Sequence, residues 1–198
     1  MAVEAASLAG LKQAMRVAAL GRRDRLEPAY RADASAAVAE RAFSFLSAYE
    51  PGIVSAYWPI RSELDPGPLV DKLRHAHVEV ALPVLVDAET MRFRHWQAGI
   101  ALVPAGFGTV GPPAGAAEER PDVLLVPLAA FDRRGFRIGY GKGHYDRAVA
   151  AFHAEAHRPL LVGLAFATQE VDNVPAEAHD VPLDAIVTED EVIAPART

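Results

Sequence analysis

The order of apolar patterns constrains this chain more than any single residue does. Runs too short for helices, "IVSAYWPI" (53–60), "VEVALPVLV" (78–86), "VLLVPLAAF" (123–131), "PLLVGLAF" (159–166) and "DAIVTE" (184–189), read as buried strands. "MRFRHW" (91–96) alternates and reads as a strand with one wet face. Helical patterns fall among these runs. Strands joined through helices by short connections run parallel, and a parallel sheet must be covered on both faces. The expected class is therefore α/β with one mostly parallel sheet. At 198 residues, 51% of them hydrophobic, the chain is long enough for one sizeable core and short for two. No repeat or second boundary interrupts it, so residues 1–198 are read as a single domain.

The first helix has a cap at Ser7, an apolar stripe of Leu8, Leu11, Met15 and Ala18, and a basic ridge of Lys12, Arg16 and Arg23. A second helix is expected after Asp33 or Ser35, with Val38, Ala42, Phe45, Leu46 and Tyr49 inward and Pro51-Gly52 ending it. "PLVDKLRHA" (68–76) reads as a short helix, and a last one runs from about Tyr145 to Ala156. Residues 104–121, rich in Gly, Pro and Ala, read as a long loop.

Composition removes several classes. There are no cysteines, which excludes disulfides, thiolate nucleophiles and cysteine-ligated zinc and fits a reducing cytoplasm. A net charge of -6 argues against a nucleic-acid partner, so any anionic ligand needs a local basic cluster. No apolar run approaches the ~18 residues a membrane span requires, and Glu4, Lys12 and Arg16 spoil a secretory signal. An amphipathic, arginine-bearing start keeps a faint likeness to a transit peptide.

Ligands in open α/β sheets bind outside the carboxyl ends of the strands. After strand 123–131 comes "RIGYGKGHYDRAV" (137–149). Glycine lets backbone N–H groups converge on phosphate oxygens, Lys142 supplies a point charge, and the helix beginning near Tyr145 aims its positive end at the same place. The loop is not a P-loop, because Gly143 stands where Ser or Thr must follow the lysine, and it is not G-x-G-x-x-G. A glycine-rich turn and an anion cradle both stay open. Asp146 is either a first-turn dipole residue or a Mg²⁺ ligand, and Asp180 either a turn residue or a second carboxylate. His153 and His157 do not make H-E-x-x-H and read as an exposed pair; no G-x-S-x-G supports acyl transfer.

Five blocks in order carry a resemblance: the basic first helix, "YWPIRSELDPGPLV", "ALPVL", "LLVPLAAFDRRGFRIGYGKGHYDR" and "LVGLAFATQEVDNVPAEAHDVPLDAIVTE". Over nearly its whole length the chain resembles the 5-formyltetrahydrofolate cyclo-ligases, or 5,10-methenyltetrahydrofolate synthetases. The resemblance implies a three-layer α/β/α, Rossmann-like fold and a cytoplasmic, monomeric ligase forming C–N bonds. Its partners would be small molecules, a reduced folate and MgATP, with Mg²⁺ as cofactor and ATP as co-substrate. It implies that Lys12, Arg16, Arg137, Gly139, Tyr140, Gly141, Lys142, Gly143, His144 and Tyr145 contact ATP. Trp58, Glu63, Tyr140 and His144 would face the folate, Asp146 and Asp180 would hold Mg²⁺, and Lys142, Arg137 and Tyr145 would act in catalysis. Three positions depart from the family: His144 replaces an aromatic of the Y-Y-D or F-Y-D ending, Gly111-Pro112 stands where Glu-Pro is common, and Pro66 replaces the usual threonine region after Glu63. The alternatives are a sugar-phosphate isomerase or CoA-transferase-like enzyme on a similar sheet, and a non-catalytic nucleotide-binding relative.

Overall fold

Along residues 123–126 the side chains alternate between two buried faces. Val123 and Leu125 join one apolar cluster, Leu124 and Val126 the other, and none is more than 1% exposed. A strand wet on neither face belongs at the centre of a sheet covered twice. The computed structural model, which describes residues 7–106, 108–177 and 180–196, shows that arrangement.

Helices α1 (Leu8–Asp24) and α2 (Pro28–Ser47) precede strand β1 (Ile53–Ser55), then α3 (Gly67–His75), β2 (Glu79–Leu85) and β3 (Met91–His95). Next come β4 (Val103–Gly106), β5 (Thr109–Gly111), β6 (Val123–Pro127), β7 (Ala130–Phe131) and β8 (Arg137–Ile138). Helix α4 (His144–Ala154), β9 (Leu160–Leu164), a 3-10 turn at Ala167–Gln169, β10 (Ala185–Val187) and β11 (Val192–Ile193) complete the chain. The main sheet has seven strands in the order β11-β10-β9-β6-β1-β2-β3. Its five inner strands are parallel; β3 and β11 are antiparallel edges.

Helices α2 and α3 pack on one face through Val38, Ala42, Leu46, Leu69 and Leu73, and α4 packs on the other through Ala148 and Val149. These are the three layers. The chain proceeds from β1 outward to β2 and returns to β6 on the other side of β1, so the winding reverses between β1 and β6. That reversal opens a crevice at the carboxyl ends of those two strands.

Several expectations needed correction. The strand read over 53–60 stops at Ser55, and residues 57–63 leave the sheet to form a wall of the crevice. The run 123–131 breaks after Pro127, and its last two residues pair with β8. Residues 104–121 are not a bare loop: β4 and β5 form a hairpin over β2. Gly111 is required there, since a Cβ would stand 2.7 Å from Val84 Cγ1. Helix α2 begins at Pro28, whose fixed φ suits the first helical position. Tyr49 lies past its end and is 51% exposed. In α1, capped by Ser7 as expected, Leu8 and Leu11 are exposed while Ala19 and Arg23 are buried. The helix lies across β7, β8 and the 3-10 turn, so its polar ridge and not its leucines faces the protein. His153 and His157 are half-buried and not the exposed pair expected: His157 Nε2 lies 2.8 Å from the Pro121 carbonyl and its ring meets Phe152 edge-on.

Candidate active site

A cleft of about 960 Å³ occupies the crevice. That volume is near the upper end for small-molecule sites, which run from ~300 to ~1,000 Å³. All fourteen residues singled out from the sequence line it: Lys12, Arg16, Trp58, Glu63, Arg137, Gly139, Tyr140, Gly141, Lys142, Gly143, His144, Tyr145, Asp146 and Asp180.

One wall is cationic. Lys12 Nζ lies 2.6 Å from Asp180 Oδ2 and 2.8 Å from Glu177 Oε2. Burial works against its charge, but the hydrogen bonds and charges of the two carboxylates outweigh burial and hold its pKa above the ordinary lysine value. Four residues along α1, Arg16 Nε donates to the Gly139 carbonyl at 2.6 Å and ties the helix to the glycine loop. Arg137, with its side chain 7% exposed, donates to Asp146 Oδ1 and to the Val181 carbonyl, each at 2.6 Å. Lys142 stands exposed at the rim.

The loop's backbone explains two of its glycines. Gly141 has φ +84°, and a Cβ there would stand 3.3 Å from Arg16 Nη2. Gly143, at φ +64°, caps α4, so the positive end of that helix opens onto the cleft.

A second group of lining residues is aromatic and carboxylate. Glu63 is 9% exposed; its Oε2 accepts from the Ile60 N–H at 2.8 Å, and the Tyr140 hydroxyl lies beside its carboxylate. Burial raises its pKa, partly offset by those two groups and by the charge of Arg23. The Tyr140 phenol is pushed up to about 12, first by burial and then by the charge of Glu63. Burial, then Glu63, also raises Tyr145, so both phenols remain donors at neutral pH. Trp58, 41% exposed, meets Trp96 edge-on at 6.0 Å, and Arg74 stacks over Trp96 at 4.1 Å.

His144 opens α4 with Nδ1 3.3 Å from Arg147 Nη2. Burial, then the charges of Arg147 and Lys142, lower its pKa from the ordinary value, so the ring is neutral at pH 7. Asp146 and Asp180 bring hard oxygen donors to the cationic wall, the donor set a small divalent cation takes together with phosphate oxygens.

Sequence reasoning missed three parts of the site. Glu177 joins Asp180 around Lys12, the β4–β5 hairpin supplies Ala105, Gly106 and Thr109 to the wall, and Arg23 stands behind Tyr140. Only Arg23 carried a signal, its place on the ridge of α1.

A model of the 5-formyltetrahydrofolate cyclo-ligase family matches residues 9–189. The 5-formyltetrahydrofolate cyclo-ligase of Escherichia coli (strain K12) is 32% identical over 177 residues, covering 86% of this chain and 96% of that protein. The Mycolicibacterium smegmatis protein of the same name is 34% identical over 144 residues, 68% of this chain and 72% of the other. Among solved structures, the Aquifex aeolicus 5,10-methenyltetrahydrofolate synthetase, solved by NMR, superposes with a TM-score of 0.75 at 28% identity over 95% of both chains. The Mycoplasma pneumoniae 5,10-methenyltetrahydrofolate synthetase, at 21% identity and TM-score 0.72, shares the fold over 90% of this chain and 98% of its own. With one cleft gathering every block of the resemblance and the family model spanning most of its length, the chain belongs to the 5-formyltetrahydrofolate cyclo-ligase family.

Proposed function

We propose that the protein cyclises 5-formyltetrahydrofolate to 5,10-methenyltetrahydrofolate, with ATP converted to ADP and phosphate. The observation that carries this reading is one cleft lined both by cations with a glycine loop and by a buried carboxylate with aromatic rings. A polyphosphate fits the first group. The second offers Glu63 as an acceptor for the amino and ring N–H groups of a pterin, with Trp58 as an apolar surface beside it. Cytoplasmic action as a monomer on these two small molecules completes the proposal.

The formamide carbon is a weak electrophile because its oxygen leaves poorly. Transfer of the γ-phosphoryl group to that oxygen makes it a good leaving group; N10 then bonds to the carbon, the C–O bond breaks, and phosphate departs as N10 gives up its proton. Phosphoryl transfer needs alignment and charge neutralisation more than covalent help. Lys12, Arg16, Arg137 and Lys142 contribute the charge, and the backbone around Gly139 to Gly143 contributes N–H donors. The Tyr145 hydroxyl is buried with no hydrogen-bond partner among the described residues, so it is a donor available to a substrate oxygen. Asp146 and Asp180 would hold Mg²⁺, which supplies further neutralisation of phosphate charge.

The test measures ATP loss and methenyl absorbance with purified protein, with and without 5-formyltetrahydrofolate and Mg²⁺. ATP loss that requires the folate and appears with the methenyl product supports the proposal. Nucleotide binding without turnover, or turnover of a sugar phosphate without ATP, would reject it.

A further inference from the structure

Arg23 is the most deeply buried charge facing the cleft's folate wall, 1% exposed, yet it does not line the cleft. A guanidinium removed from water needs partners for its donors. Its Nε donates to Ser62 Oγ at 3.0 Å, and its Nη2 donates to the Tyr140 hydroxyl at 3.0 Å. Ser62 Oγ–H donates in turn to Asp24 Oδ1, so the serine is held from both sides by neighbouring residues of α1. Tyr140, having accepted from Arg23, stands with its hydroxyl beside the Glu63 carboxylate, each shifting the other's ionisation.

These contacts bracket Glu63 from two sides. Arg23 grips Ser62, whose chain neighbour is Glu63, and grips Tyr140, whose hydroxyl meets the Glu63 carboxylate. Glu63 is thereby flanked, along the chain by Ser62 and at its carboxylate by Tyr140, by two groups that one guanidinium on another element holds. We propose that Arg23 is a positioning residue for the folate: acting through Ser62 and Tyr140, it sets the orientation of Glu63 and keeps it a carboxylate acceptor. The proposal rests on the folate role given to Glu63 above. Arg23 does not touch the substrate.

The geometry also carries a charge argument. The groups facing Glu63 are Arg23 from α1, Tyr140 from the glycine loop, Tyr145 at the start of α4 and Tyr57 on its own segment. Arg23 alone among them is charged. Burial favours the protonated acid at Glu63 and Arg23 opposes it, so removing Arg23 must move the protonation of Glu63 to higher pH.

The experiment compares Arg23→Met, Arg23→Lys and Tyr140→Phe with wild type, reading folate and ATP KM, the pH profile of kcat/KM for folate, and folate affinity by calorimetry without ATP. Arg23→Met is expected to raise folate KM by about tenfold while ATP KM stays within about twofold, and to shift the acid limb upward. In a Tyr140→Phe background the same substitution adds less than about threefold, because the relay is already cut. Arg23→Lys retains the charge and so the acid limb, but a single ammonium lacks the fork that grips Ser62 and Tyr140, so folate KM is intermediate. A folded Arg23→Met protein with unchanged folate KM and acid limb would overturn the proposal. So would a parallel rise in both KM values, or full multiplication of effects in the double variant. If Arg23→Met does not fold, unchanged folate binding in Tyr140→Phe overturns it instead. Calorimetry reads the proposal even if wild type makes no product, an outcome that sinks the proposed reaction alone.

Discussion

Two glycines of one loop, Gly139 and Gly141, should respond to alanine with opposite signs. Gly141 sits at φ +84°, where a side chain costs ~1–2 kcal/mol, and its Cβ would press on Arg16 Nη2 at 3.3 Å. Gly139 has no positive φ, and a Cβ there meets nothing within 4 Å. Alanine at such a position gains ~0.4–1 kcal/mol by restricting the unfolded chain. For a domain of this size one kcal/mol moves Tm by ~2–4 °C. Gly141→Ala is therefore expected to lower Tm by about 2–8 °C, and Gly139→Ala to leave it unchanged or raise it by up to about 4 °C. Displacement of Arg16 from the Gly139 carbonyl adds a functional signature: ATP KM in Gly141→Ala should rise about tenfold, with folate KM changed far less. Differential scanning calorimetry and steady-state kinetics measure both. Equal loss of stability in the two variants, or a Gly141→Ala protein with wild-type Tm and ATP KM, would refute the reasoning from backbone sign and clearance.

Other consequences can be checked alongside. Lys142→Ala should lower ATP-dependent turnover by well over ~tenfold, a charged phosphate contact being worth more than ~1.4 kcal/mol in a closed site; unchanged kcat removes Lys142 from the mechanism. Glu63 has a raised pKa and acts as an acceptor, so folate kcat/KM should be full above that pKa and fall as pH drops through it, with a midpoint above the ordinary glutamate range. Glu63→Ala should abolish that limb and raise folate KM more than ATP KM, as initial rates across pH will show. Asp146→Ala removes the carboxylate partner of Arg137 and should flatten the Mg²⁺ dependence of turnover in a metal titration. His144 is neutral at pH 7, so His144→Phe should leave the pH profile above 7 unchanged; a lost inflection there would show that the ring titrates in the working range.

The sequence displayed the parallel sheet clearly because its inner strands are buried on both faces and read as unbroken apolar runs. The glycine loop was legible for a different reason: positive φ at Gly141 and Gly143 leaves a compositional trace. What stayed hidden was set by contacts distant in the chain. The β4–β5 hairpin pairs through Val103, Pro104, Gly106, Thr109 and Gly111, whose residue types mimic a loop, and only the neighbouring β2 makes the pairing worthwhile. The stripe misled at Leu8 and Leu11 because α1 docks there by polar ties; only Met15 of the stripe reaches the apolar cluster around Ala19. Glu177 had no local signal at all; its meaning comes from Lys12, 165 residues away in the chain.

Those polar ties divide α1 into unequal halves. Its last turns are anchored by buried Ala19 and Arg23 and by Arg22, which donates to the Thr168 and Glu170 carbonyls. Its first turns expose Leu8 and Leu11 and are fastened chiefly through the side chains of Lys12 and Arg16. Lifting them away uncovers little apolar surface, so the free energy of local opening should fall along the helix toward its start. Amide hydrogen exchange would then run fastest near Leu11 and slowest near Arg23, and a nucleotide gripped by Lys12 and Arg16 would erase that gradient. The helix that supplies two of the cleft's cations is thereby loosest at the end that supplies them, able to admit a bulky polyanion while the sheet beneath stays still.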